Sequence, residues 1–378
     1  MNEIGLYLHF PFCVKKCAYC DFLSFPAAED VKHIYAAAMI REIRGYAHAA
    51  RDSVVTSIFL GGGTPSIMPM RALREIFKAL YDSFQIAPDA EITMEMNPGT
   101  VSEAVLSFVF DYIGRVSLGV QSAVDSELKM LGRIHSFADA ERSVRLLRES
   151  GVRNLNLDLM SGIPDQTVES WKETLEAAVS LKPEHISAYS LSVEEHTEFR
   201  RLQKAGRLHL PDEESEREMY RLTKELLLQS GYEQYEFSNY AREGFRCRHN
   251  MRYWKRGDYL GFGLGASSLL RSSRWHNTRN LEHYFEHSAD PGQLVREMEQ
   301  LDKRAEIEET MFLGLRMSDG VSDAEFTEAF GLSYRELYGE VIGRHIADGL
   351  LAEEGDRIFL TPRGVEISNV VLADYLLE

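Results

Sequence analysis

Cys13, Cys17 and Cys20 crowd together as C-x-x-x-C-x-x-C, just after Tyr7, His9 and Pro11, and the one other cysteine is Cys247. Thiolates are the usual ligands of iron–sulfur clusters, four as a rule. Three at this spacing can hold three irons of a [4Fe–4S] cubane and leave the last iron open. An open iron can chelate the amino and carboxylate groups of a methionine derivative. A structural zinc would need a further ligand, with Cys247 or His9 as candidates. Buried, inert thiols are the plain alternative.

Other residue groups could serve such a site. Gly61-Gly62-Gly63-Thr64-Pro65-Ser66 ends a strand-like run. Glycines let backbone approach a ligand, and free N–H groups there can bind a carboxylate. Turns also use glycine routinely, and no lysine follows to make a P-loop. Glu95 stands in Met94-Glu95-Met96-Asn97-Pro98. It suits a ribose hydroxyl or an ammonium, or a solvated surface. Gln121, Arg133 and Asp158 share that standing. Asp158 is the firmest, because its alternation with Leu155, Leu157 and Leu159 fixes it on one strand face; a salt bridge to an arginine is the alternative.

The elements that must position these residues alternate. Strand-like runs at 4–10, 54–60, 91–96, 115–120, 154–159 and 185–191 are separated by helical patterns, among them 30–48, 71–83, 138–149 and 168–181. Such alternation predicts parallel strands covered by helices. Glu95, Gln121, Asp158 and the glycine run all fall near strand C-terminal ends, where parallel barrels build their sites. The expectation is an α/β partial (βα)6 barrel, with a doubly wound open sheet as runner-up. Beyond about residue 195 the pattern changes. It reads as an amphipathic helix at 211–230, a strand at 232–240, a loop rich in arginine, histidine and aromatics, and a glycine-rich apolar stretch at 257–268. From about residue 302, helices at 305–315, 323–330 and 334–348, a hairpin at Gly355-Asp356 and a helix from Arg363 resemble a small winged-helix-like α+β domain. The expected boundaries are 1–230, 231–300 and 301–378.

Composition limits the function. The chain has 378 residues, 44% of them apolar, so a large core is expected. A net charge of -17 argues against a nucleic-acid partner, and against a winged-helix regulator that reuses a barrel. Clustered cysteines suit a reducing compartment. Residues 1–12 lack the features of a signal peptide, and no apolar run is long enough to span a bilayer. The expected location is cytoplasmic, with peripheral membrane contact and a homodimer left open.

Together the cysteine motif with Tyr19, Gly61–Pro65, Glu95, Gln121, Arg133 and Asp158 resembles the radical S-adenosylmethionine superfamily. Within it the chain resembles the oxygen-independent coproporphyrinogen III oxidase-like group over nearly its whole length. The resemblance implies a [4Fe–4S] cluster on Cys13, Cys17 and Cys20 that passes one electron to bound S-adenosylmethionine and generates a deoxyadenosyl radical, with the hard chemistry carried by the cofactor. It further implies that Tyr7, Gly62 and Glu95 hold that S-adenosylmethionine. Gly63, Thr64, Gln121, Arg133 and Asp158 would hold a second one, and Tyr19 would pack beside the cluster.

One departure matters. The oxidases resemble C-x-x-x-C-x-x-C-x-C, whereas Phe22 stands at the last of those positions. The sequence instead resembles the haem chaperone branch, which carries H-N-x-x-Y-W, here His249-Asn250-Met251-Arg252-Tyr253-Trp254. That branch implies haem as ligand and acceptor haem proteins, such as respiratory cytochromes, as partners. His249 would ligate the iron, with Cys247 as the other candidate. Tyr253 and Trp254 would stack on the porphyrin, and Arg246, Arg248 and Arg252 would pair with propionates. The plain alternative is a loop that packs against the barrel mouth with His249 hydrogen-bonded. The rival functions are a coproporphyrinogen oxidase and a radical methyltransferase or cyclopropanase.

Overall fold

A computed structural model describes residues 2–377. Its centre is six parallel strands in sequential order: β1 (Asn2–Phe10), β2 (Ser53–Gly62), β3 (Gln85–Met96), β4 (Arg115–Gln121), β5 (Leu155–Ser161) and β6 (His185–Ser190). A doubly wound sheet would reverse its order at the centre. This one runs straight through and is the expected partial barrel.

The sheet continues past both of its expected ends. Beside β6 lie β8 (Asn239–Ala241) and β7 (Glu233–Gln234), antiparallel. The single strand expected at 232–240 is therefore a tight hairpin. Beside β1 lies β9 (Tyr259–Phe262), parallel to it, then β10 (Ser267–Leu270), β11 (Ser273–Asn277) and β12 (Val295–Gln300), antiparallel. The glycine-rich stretch at 257–268 thus supplies strands and the turn between them.

The strands have two chemically opposite faces, as period-two alternation requires. On β1, Leu6, Leu8 and Phe10 are fully buried beneath helices. So are Leu155, Leu157 and Leu159 on β5. The inward face carries Tyr7, Glu95, Ser117, Asn156, Asp158, Ser187 and Tyr189. An interior this polar is not a packed barrel core and must satisfy its groups by hydrogen bonds.

Four of the covering helices are capped by side chains. Glu103–Tyr112, Phe137–Glu149, Val168–Ser180 and Glu213–Gln229 start on Ser102, Ser136, Thr167 and Asp212, whose side chains accept from the first turn. After residue 301 the helices Lys303–Gly314, Asp323–Phe330 and Tyr334–Ala347 pack with a three-stranded sheet around Met311, Tyr334, Ile358 and Tyr375. That core is separate from the barrel's. Among the described residues no helix is long and apolar enough to cross a membrane.

Candidate functional site

The cysteine loop leaves β1 at the C-terminal end of the barrel and is pinned along its length. Cys13 N–H donates to Phe25 O at 3.1 Å, and Ala18 is held from both sides by Leu131 O and Phe199 N. The three thiols are half-exposed and unpaired with one another. They face one cavity of about 400 Å³, lined also by Tyr19, Gly62, Gly63, Thr64, Glu95, Gln121, Arg133 and Asp158. The structure therefore brings together every expected site residue except Tyr7 and His249.

The glycine turn serves differently from the expectation. Gly62 N–H donates to Glu95 Oε2 at 3.1 Å. Gly63 and Thr64 N–H donate to Phe10 O and Phe12 O, each at 2.8 Å. These amides are spent inside the protein and offer no nest to a carboxylate. What the glycines allow is proximity. A Cβ on Gly63 would lie 2.5 Å from Phe12 O, and one on Gly62, whose φ is +102°, would lie 2.4 Å from the His9 ring. The turn thus clamps the end of β1 and aims the loop that follows it.

Charge at this end is finely set. Burial, with Asp158 nearby, pushes the Glu95 carboxyl up to about 8, against the pull of Gly62 N–H. Asp158 is raised too by burial, while accepting from Ser117 Oγ at 3.0 Å and Asn156 Nδ2 at 2.8 Å. Two carboxyls this deep favour a cationic ligand, such as an ammonium or a sulfonium, that would let both ionise. Gln121 closes β4 with φ +71°, an uncommon conformation for a non-glycine residue. Arg133 Nη2 donates to Gly119 O at 2.6 Å and to Asn97 Oδ1, and Nη1 donates to Cys17 Sγ at 3.6 Å. Among the described residues no three His, Cys, Asp or Glu side chains converge on one point. A cubane does not require that, because each thiolate binds a different iron. The half-exposed thiols around one cavity, the cradle that a Cβ would fill and the half-buried carboxyls fit a three-cysteine cluster with a cationic, amino-acid-bearing ligand.

His9, a candidate zinc ligand, has both ring nitrogens engaged. Nε2 lies 2.9 Å from Leu23 O and Nδ1 lies 3.1 Å from Tyr7 Oη.

The opposite end of the barrel holds the H-N-x-x-Y-W segment. It is a helix, Arg248–Trp254, not a loop. No side chain caps it; instead the Glu91 carboxylate, from β3, accepts from His249 N at 3.2 Å and from the Cys247 thiol. His249 is 1% exposed and lies against Phe59. Its Nδ1 meets Ser57 Oγ at 2.9 Å and its Nε2 meets Tyr253 Oη at 2.8 Å. Burial drops its pKa to about 3, so it is neutral and fully hydrogen-bonded. His249 thus takes the hydrogen-bonded role that the plain alternative assigned to it. Cys247 is sealed as well: burial pushes its thiol up to about 12, and it donates to the Glu91 carboxylate. The arginines expected to meet propionates are committed as well. Arg246 pairs with Asp319 at 2.7 Å, Arg248 donates to Asp89 O at 2.8 Å, and Arg252 donates to Glu3 O at 3.1 Å and to Thr56. Tyr253 is packed edge-on against Tyr259 at 4.6 Å, and Trp254 faces Arg316 at 5.7 Å.

Sequence reasoning missed the connectors. Asn97 donates to Thr64 Oγ1 at 2.8 Å and accepts from Arg133. Asn156 bonds Ser117 at 2.7 Å and His185 Nδ1 at 2.6 Å, and His185 Nε2 meets Tyr235 Oη at 2.8 Å. Asn156 shares the strand face of Asp158, so the alternation that marked one could have marked the other. His135 and Tyr189 also line the mouth cavity.

Comparison with known proteins shows the family. The radical SAM superfamily model matches residues 7–178, and the HemN C-terminal domain model matches residues 301–367. A protein named heme chaperone HemW from Lactococcus lactis subsp. lactis is 36% identical over 98% of this chain and 97% of its own length. The Escherichia coli protein of that name is 35% identical, covering 100% of this chain and 99% of its own. The solved coproporphyrinogen III oxidase HemN from Escherichia coli superposes with a TM-score of 0.86 over 99% of this chain and 90% of that one, at 22% identity, which speaks for the fold alone.

Proposed function

The chain belongs to the HemW family of the radical SAM superfamily, and from that premise we propose that it is a haem chaperone. It binds haem and delivers it to acceptor haem proteins such as respiratory cytochromes. It carries a [4Fe–4S] cluster on Cys13, Cys17 and Cys20 and S-adenosylmethionine beside it. The observation that carries the reading is the meeting of three half-exposed thiols, the glycine turn and Glu95 on one cavity, in a chain whose full-length relatives are named for haem. When bound, the cluster and S-adenosylmethionine supply one-electron chemistry.

The protein's own share is placement. The Gly61–Thr64 turn fixes the cysteine loop. Glu95 and Asp158 offer half-buried carboxyls to the cationic part of S-adenosylmethionine, and Tyr19 covers the cysteines on one side. For haem, the rim of the mouth is the better surface. Val14, Phe22 and Ile134 are 59%, 62% and 65% exposed there. Such a patch suits an apolar porphyrin face, and Lys15 and Lys16 stand beside it for propionates.

The test is anaerobic cluster reconstitution followed by haem titration and transfer to an apo-cytochrome. A stoichiometric complex that His249→Ala retains and Phe22→Asp weakens about tenfold is expected. Protoporphyrinogen made from coproporphyrinogen III at a useful rate would overturn the chaperone reading in favour of the oxidase. The same result for His249→Ala and Phe22→Asp would remove the rim as the haem surface.

A further inference from the structure

Two hydrogen-bond donors point at cysteine sulfurs, and one side chain organises both. Thr64 Oγ1 lies 3.6 Å from Cys13 Sγ. Arg133 Nη1 lies 3.6 Å from Cys17 Sγ. Between them stands Asn97, whose Nδ2 donates to Thr64 Oγ1 at 2.8 Å and whose Oδ1 accepts from Arg133 Nη2. The directions follow from proton counting. A hydroxyl has one proton. Because Asn97 donates to Thr64, that proton is left for Cys13. Because Asn97 Oδ1 and Gly119 O take Arg133 Nη2, the other arm of the guanidinium is turned to Cys17. An inverted amide would set Asn97 Nδ2 against Arg133 and draw the Thr64 proton away from the sulfur. The network therefore fixes the amide's orientation.

We infer that Asn97 is a positioning residue that aims Thr64 at Cys13 and Arg133 at Cys17 and thereby raises the reduction potential of the cluster those cysteines hold. Hydrogen bonds to cluster sulfurs favour the more negative, reduced state. Each donor lost makes reduction harder. The inference rests on the cluster reading above. It gives Thr64 and Arg133 a task distinct from holding a second S-adenosylmethionine.

The experiment is an EPR-monitored redox titration of anaerobically reconstituted protein, with iron and sulfide content measured on each sample. Thr64→Val and Arg133→Met should each lower the midpoint. Asn97→Ala should lower it as far as the Thr64→Val/Arg133→Met double variant, with a roughly tenfold smaller reduced-to-oxidised ratio at a fixed potential, about 59 mV for one electron. Adding Asn97→Ala to that double variant should change nothing more. Loaded Asn97→Ala with a wild-type midpoint, or a full extra shift in the triple variant, would overturn the inference. If Asn97→Ala does not load, Thr64→Val and Arg133→Met decide it: wild-type midpoints in both sink it. Wild-type protein that takes up no cluster defeats the cluster reading itself.

Discussion

The two ends of the barrel use the same residue types to opposite effect. At the mouth, Cys13, Cys17 and Cys20 are half-exposed, with hydrogen-bond capacity to spare. At the floor, Cys247 is sealed against Glu91, and His249 has a partner on each ring nitrogen. The mouth keeps its bonding capacity for something outside the protein; the floor uses its own up.

The widest separation between the ends should come from paired substitutions. Cys17→Ala should abolish cluster absorbance after reconstitution while moving the unfolding free energy of the apoprotein by less than about 0.5 kcal/mol. His249→Ala should do the reverse. It leaves Ser57 and Tyr253 unpaired in the interior and should cost about 3 kcal/mol in denaturant titration, with cluster loading intact. Loss of cluster in the His249 variant at temperatures where it is folded would break the distinction.

pH offers the next test, because the two ends titrate in opposite directions. His249 is depressed to about 3 from 6.5. Its neutral form contributes stability that is complete above pH 6.5 and is lost as pH falls toward 3. Glu95 is raised from 4.5 to about 8. Its contribution is complete below pH 4.5 and is lost as pH rises through 8. Stability of the apoprotein against pH should therefore fall on both sides. Glu95→Gln should flatten the alkaline limb, and the acid limb should persist in that variant.

The smallest effect concerns the link from floor to C-terminal unit. Trp254→Leu removes the ring that faces Arg316 at 5.7 Å and should cost about 0.5–1 kcal/mol. A larger loss, with the C-terminal core melting separately in calorimetry, would mean that this contact governs docking.

How much of this was legible in the sequence also differs between the ends. The mouth was readable because local spacing carries it: C-x-x-x-C-x-x-C, the glycine turn, and alternation on β5. The floor was not. Arg246, Arg248 and Arg252 read as partners for propionates because their partners Asp319, Asp89 and Glu3 are remote in sequence. The helix Arg248–Trp254 has no side-chain cap of its own, so it left no start signal; Glu91 supplies the acceptor from another strand. Asn97 went unread inside a motif otherwise noticed, since its meaning lies in Thr64 and Arg133 and not in its neighbours.

The place of β1 has a consequence for synthesis. The strand that leads into the cysteine loop bonds to β2 on one side and to β9 on the other. On the ribosome the second of these partners, Tyr259–Phe262, arrives long after the first. Until then the nascent chain carries an open strand edge next to three free thiols, a state prone to mispairing with other chains. Glu42 and Tyr35, which later accept from Gly263 N–H and Leu264 N–H respectively, wait alongside. The cluster loop is therefore made before the strand that completes its scaffold.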